Sequence, residues 1–401
     1  MARIIFIRKV FTCAALAIAL GSCGGGELGP NAVREKGLES RLPSPDFILD
    51  TAPPNLNRPA RKISRRYEGL IFDTHVHVMN RTTGGINAIL PWMNRMNVER
   101  LILQPTPNEG LFKDGDDNEA DRRNFLKIAG RRGGRFCGSL YLTNWMDEAY
   151  HRGYEKADLN SRLERLRKEI DSGTCLGIGE IGPYHFDKKA RMGIIHFPLN
   201  FGPMAEVAAL AEKKDIWLEL HTEPRTPDGR SFERELFGGI AYLFRRYPKL
   251  KLILSHTGMT TTKNARSLLK KYPNLMMNLK MVRPGGFLSW DHLGPISNAK
   301  DELFEDWARL MEEMPRRFMI GTDSRFGTEQ YTGKRYGRGI LKLRNILGTL
   351  APAASNLIAH GNAKRLFGAP GPFEPNPAGG ELKKRQRGKR KSRRRRRRNK
   401  Y

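Results

Sequence analysis

Cysteine is scarce in this chain, with four in 401 residues. Cys13 and Cys23 fall in the extreme N-terminal stretch, so only Cys137 and Cys175 remain for a folded body. That excludes a scaffold built on several disulfides. Both lie in apolar, strand-like runs and read as two buried thiols rather than a redox pair. Long apolar runs are missing too: past residue 20 none approaches the ~20 residues that a membrane-spanning helix needs. With 39% hydrophobic and 28% charged residues, the body reads as soluble with a sizeable core. Acid is in short supply, 42 Asp and Glu against 71 Lys and Arg, giving a net charge of +29. Much of that excess is local. The stretch 383–400, KKRQRGKRKSRRRRRRNK, carries fourteen bases and no acid, and Arg3, Arg8 and Lys9 carry three more, which leaves +12 for everything between. The segment 371–401 is therefore expected to be a disordered basic tail that binds nucleic acid or other polyanions non-specifically and in a salt-dependent way.

The N-terminus has the layout of a signal peptide over 1–22: basic residues, the apolar run Val10 to Leu20, then small residues. "LGSC" at 20–23 resembles a bacterial lipobox, which implies acylation of Cys23 and an exported, membrane-anchored lipoprotein, periplasmic or at the cell surface. An ordinary signal peptide is the simpler alternative. Residues 23–66, rich in Gly, Pro, Asn and Arg without a sustained apolar period, read as a lipid-anchored linker.

From 67 to 370 short β-rich runs alternate with helical patterns. The runs are LIFDTHVHV (70–78), RLILQPT (100–106), RFCGSLYLT (135–143), CLGIGEIG (175–182), IWLELHTE (216–223), KLILSHTG (251–258), NLMMNLKM (274–281) and FMIGTDS (318–324). Eight such units specify an α/β fold, a (β/α)8 TIM barrel, with an open doubly wound sheet as the alternative. The connecting stretches carry helical signals, such as Leu159, Leu163, Leu166 and Ile170 at helical spacing.

Polar residues recur where these strands stop, which is the end at which barrels place their chemistry. His75 and His77 share one face of the first strand, because side chains at i and i+2 point the same way. Glu180 ends the fourth strand, His221 the fifth, His256 the sixth and Asp323 the eighth. A lone strand histidine is usually a hydrogen-bonded core residue; six such groups at one rim are hard to explain separately. Buried imidazoles and carboxylates without a cation would each be costly, whereas a divalent ion turns them into ligands. The nitrogen and oxygen donors suit zinc first, with manganese, iron or nickel as alternatives, in one or two copies.

The ordered set His-x-His, Glu, His, His, Asp, closed by HGNAKRLFG at 360–368, resembles the metal-dependent hydrolases of the amidohydrolase superfamily. The stretch NEADRRNFLKIAGRRGGRFCGSLYLT (118–143) is similar to the amidohydrolase-2 group, and LGIGEIG followed by LELHTE is similar to TatD-type deoxyribonucleases. The resemblance implies a metal-activated water that cleaves an amide, ester or lactone bond in a small substrate. It further implies Asp323 as general base, a first ion on His75, His77, His221 and Asp323, and a second on His256 and Glu180, with Glu180 and His256 also acting in catalysis. Arg225, Lys280, Arg283 and Arg325, in the loops after the strands, hint at an anionic substrate. A TatD-type phosphodiesterase is the nearest rival, and an inactive, surface-tethered polyanion binder is the third reading.

Overall fold

The computed structural model describes residues 32–33, 42–78, 89–105, 130–186, 194–280, 291–326 and 333–368. The signal segment, Cys23, Arg283 and the basic tail lie outside the described residues. Among the described residues no helix is long and apolar enough to cross a membrane.

Eight parallel strands form the barrel: β1 (Ile71–Val78), β2 (Val98–Gln104), β3 (Gly133–Gly138), β4 (Gly177–Phe186), β5 (Trp217–Thr222), β6 (Lys251–Leu254), β7 (Leu275–Leu279) and β8 (Phe318–Ile320). Each pairs with the next, and the sheet closes where Ile320 of β8 registers with Asp73 of β1. Helices lie between them: α1 (Ile89–Arg95), α2 (Ser139–Arg152), α3 (Lys156–Asp171), α4 (Gly202–Lys213), α5 (Glu233–Arg246), α6 (Thr262–Lys271), α7 (Glu305–Glu313) and α8 (Gly333–Leu347). The fold expected from the strand count is the one observed.

Its core follows from the two periodicities. In α3 the buried residues are Leu159, Leu163, Leu166 and Ile170, one stripe at helical spacing. Each such side chain contributes about 1.5–3 kcal/mol by leaving water. The chain departs from the sequence reading in three places. The expected third strand stops at Gly138, whose φ of 98° redirects the chain, so the β-prone SLYLT forms the start of α2 instead. The fourth strand runs on through Pro183 to Phe186, because its far end pairs antiparallel with the short strand Ile194–His196. Cys137 and Cys175, read as separate thiols, form a disulfide. Cys137 registers with Ile178 on the neighbouring strand, which brings the approach to β4 alongside and sets the two Cα atoms 5.8 Å apart.

Residues 42–66, read as part of a free linker, lie along the barrel as a strap. Arg61 bridges Glu305 at 2.9 Å and Glu312 at 2.7 Å, and Arg58 bridges Asp306 at 2.6 Å. Arginine forks on part-buried carboxylates hold such a segment better than mobile surface pairs would.

Candidate metal centre

All six residues expected at the rim converge. His75, His77 and Glu180 present donor atoms within 4.8 Å of one another, as do His75, His256 and Asp323, and Glu180, His221 and His256. Glu180 lies at the middle. Its Oε2 is 3.3 Å from His75 Nε2 and 3.5 Å from His77 Nε2, while Oε1 is 2.9 Å from His221 Nδ1 and 3.6 Å from His256 Nε2. Asp323 places Oδ1 2.8 Å from His77 Nε2 and pairs through Oδ2 with the Lys280 ammonium.

The backbone that presents these groups is unusual. His256 follows β6 in a tight turn, Ser255–Met259, with φ 61° and ψ 36°, and Asp323 has φ 48°. Left-handed backbone at non-glycine residues costs on the order of 1–3 kcal/mol and tends to cluster at functional sites. It aims two side chains inward that an extended strand would carry away. Asp73, buried beneath the seam, accepts from Thr322 N at 2.9 Å and Thr322 Oγ1 at 2.7 Å, while Asp323 N donates to His75 O at 3.0 Å. These bonds fix the β8 end against β1. Burial pushes the Asp73 carboxyl up to about 6.

The hydrogen bonds settle the tautomers. His77 Nδ1 faces the Gln104 carbonyl oxygen at 3.1 Å, which can only accept, so Nδ1 carries the proton and Nε2 of the neutral ring is bare. His75 Nδ1 faces Glu219 Oε1 at 2.6 Å, with the same result. The two Nε2 atoms then meet at 3.0 Å beside Glu180 Oε2. Without a cation one ring must hold an extra proton. That is His75: burial opposes its charge, but Glu180 and Glu219 outweigh burial and hold it well above the usual imidazole range. His221 behaves alike, raised to about 9 against burial by Glu180 and Glu223. His256 is held well below the usual range by burial and the Lys280 charge, and both its ring nitrogens are buried without a partner. Burial also works against the charge of Glu180 and of Asp323. His75 and His221 keep the first ionised, and Lys280 and His77 the second.

Glu180 Oε2 likewise makes no hydrogen bond, its contacts with His75 and His77 being ion pairs. Buried polar atoms left without a hydrogen bond cost about 1–3 kcal/mol each, so a centre with three of them, ringed by imidazoles and carboxylates, suits a divalent ion.

The basic candidates divide. Lys280 is at the centre, against Asp323. Arg325, on the short strand Ser324–Phe326, registers with His77 and bears on His185 electrostatically. Arg225 spends its guanidinium elsewhere, donating to Glu233 at 2.8 Å and to the strap carbonyls of Thr51 and Ala52 at 2.5 and 3.1 Å.

Glu219 and Glu223 went unread in the sequence. They flank His221 at two-residue spacing, so strand alternation alone puts all three on the inner face. Glu223 Oε1 lies 3.0 Å from His221 Nε2. His185, which reads as an ordinary surface histidine, is buried with its ring stacked on His221 at 4.7 Å, and burial pushes it down to about 4. His196 pairs with Glu235 at 2.9 Å.

The strands and the donor set together define a (β/α)8 barrel with a candidate metal centre at one rim. Residues 195–369 match the family model described as Amidohydrolase. Over that stretch the chain is similar to the family that the ordered histidines and acids resemble. No curated protein matches it in sequence. Among solved structures it is similar to an uncharacterised TIM-barrel protein from Bordetella bronchiseptica, with 14% identity and a TM-score of 0.48 over 74% of this chain and 98% of that one. It is also similar to 2,6-dihydroxybenzoate decarboxylase from Rhizobium, with 13% identity and a TM-score of 0.44 over 75% and 98%. A third is dihydroorotase from Campylobacter jejuni, with 16% identity and a TM-score of 0.46 over 79% and 88%. At that distance these likenesses carry none of the argument.

Proposed function

We propose that the barrel is a hydrolase in which a metal-activated water cleaves an amide, ester or lactone bond of a small anionic substrate. One observation carries this reading: two imidazoles locked with bare Nε2 atoms 3.0 Å apart, facing carboxylate oxygens, an arrangement that only a cation or a surplus proton relieves. The expected first site grouped His221 with His75, His77 and Asp323, but the geometry groups it with His256: His75, His77 and Asp323 would hold one ion, His221 and His256 the other, with Glu180 between them. Two ions are favoured because Glu180 turns one oxygen to His75 and His77 and the other to His221 and His256. Zinc is the first choice for this donor set, ahead of manganese, iron and nickel. When bound, such an ion polarises the scissile group and brings the pKa of a coordinated water from 15.7 to about 7.

The rest falls to the chain. Asp323, kept ionised by Lys280, is the base that takes the proton and returns it to the leaving group, worth about 100-fold or more in rate. Lys280 and Arg325 supply positive charge beside the centre for an anionic group on the substrate.

The same reading includes export and lipid attachment at Cys23, with the basic tail free to bind nucleic acid or other polyanions. The Cys137–Cys175 disulfide supports export, since such bonds persist in oxidising compartments. The test is a metal-supplemented panel of amides, esters, lactones and single-stranded DNA, run on the wild type and Asp323→Asn. Carbonyl substrates should be cleaved, and the variant should lose about 100-fold or more. Cleavage of DNA alone would favour the phosphodiesterase reading, and an undiminished variant would remove Asp323 as base.

A further inference from the structure

Beneath the six rim residues lies a layer that the proposed chemistry does not use. Glu219, two residues before His221 on β5, points to the same inner face one level deeper and is fully buried. Its carboxylate accepts four hydrogen bonds. Oε1 takes His75 Nδ1 at 2.6 Å, Ser255 Oγ at 2.7 Å and Asn278 Nδ2 at 2.6 Å, and Oε2 takes Gln104 Nε2 at 2.6 Å. Among the described residues its only ion-pair partner is His75.

Two of those donors hold ligands in turn. Gln104, which gives its side-chain amide to Glu219, uses its backbone oxygen to accept from His77 Nδ1 at 3.1 Å. Asn278 accepts from the His256 backbone N–H at 2.8 Å. One carboxylate thus reaches His75 directly, His77 through Gln104 and His256 through Asn278. The surroundings are cut to fit. A Cβ on Gly179, whose φ is +147°, would lie 2.9 Å from both Cβ and the carbonyl oxygen of Glu219. A side chain there would displace the carboxylate.

We infer that Glu219 is a positioning residue for the metal centre: it fixes the Nδ1–H tautomer of His75 and, through Gln104 and Asn278, the placement of His77 and His256. The inference rests on the reading of the rim as a metal centre. A carboxylate behind a ligating imidazole orients the ring and raises its basicity, and removing such a partner costs about 10–100-fold in metal affinity. A purely structural buried acid would instead cost stability and leave the intrinsic affinity alone.

The experiment uses the full chain, stripped of metal, and measures the zinc dissociation constant by chelator competition beside a thermal melt. Glu219→Gln keeps the shape but turns an amide donor toward Gln104 Nε2 or toward the three donors at Oε1. Its zinc affinity should fall about 10–100-fold. Leu243→Ala, in the last turn of α5, also loosens the fold but should leave the affinity within about twofold, as distant sites do not couple. Equal affinity in wild type and Glu219→Gln, or an equal loss in Leu243→Ala, overturns the inference. If Glu219→Gln does not fold, 15N NMR of the zinc-loaded wild type decides: His75 and His77 should show protonated Nδ1, and protonated Nε2 on either overturns it. A wild type that takes up no zinc or manganese sinks the functional reading and this inference with it; uptake undisturbed by Glu219→Gln sinks the inference alone.

Discussion

Gly321, between β8 and Asp323, offers a sharp test of how tightly the centre is packed. A Cβ placed there would lie 2.8 Å from Asn278 Cγ and 2.9 Å from His75 Cβ. Real Cβ atoms do not sit that close, so Gly321→Ala must shift β8, Asn278 or His75. All three are held: Gly321 N donates to Leu279 O at 3.1 Å, Asn278 donates to Glu219 at 2.6 Å, and His75 is locked between Glu219 and the seam. Overpacking one methyl into such a site costs about 1–3 kcal/mol. For a body of this size, with an unfolding entropy near 2.1 cal/mol/K per residue, that lowers Tm by roughly 2–5 °C. Displacement of His75 should also weaken metal binding, since ligand geometry and its supporting bonds set the affinity. Thermal melts of the metal-free and metal-loaded protein measure both, and the loss should be larger in the loaded form. Gly321→Ala with wild-type Tm and wild-type metal affinity would refute the packing argument.

Other outcomes follow from the same geometry. Replacing Cys137 and Cys175 by serine opens a loop spanning 38 residues and should cost about 4 kcal/mol by the loop-entropy relation, read by chemical denaturation; an unchanged midpoint contradicts it. In the metal-free protein His221 titrates at about 9, above the 6.5 of a free imidazole. Its contribution, on the order of 3 kcal/mol, is therefore complete below 6.5 and fades as pH rises through 9. Metal binding needs that imidazole unprotonated, so affinity should climb across the same window with proton release, and a flat affinity from pH 7 to 9, measured calorimetrically in two buffers, would contradict it. Arg61→Ala should free the strap and lower stability by roughly 1 kcal/mol, a modest figure because the pairs are part-exposed; protease cutting within 42–66 reports it.

The rim was legible because its logic is local. Alternation puts His75 and His77 on one face, and strand ends collect at one end of any parallel barrel, so the convergence of the six side chains could be read before its distances were known. What escaped was whatever depends on neighbouring strands. Glu219 stands in LELHTE in plain sight, yet its meaning comes from Gln104 on β2 and Asn278 on β7, which only the closed sheet brings to it. The disulfide depends on the register of β3 against β4, invisible in a spacing of 38 residues. SLYLT reads as strand by residue type and is helical because Gly138 turns the chain. His185 lies past the expected strand at 175–182, and only the antiparallel pairing of the far end of β4 with Ile194–His196 carries it against His221.

The most direct measurement is metal content by mass spectrometry of the purified protein, wild type beside the double variant His75→Ala, His77→Ala. The account predicts one or two equivalents of a transition metal in the wild type and a large loss in the variant. A folded wild type that binds none under metal-supplemented conditions, or a variant that keeps its full complement, would contradict it.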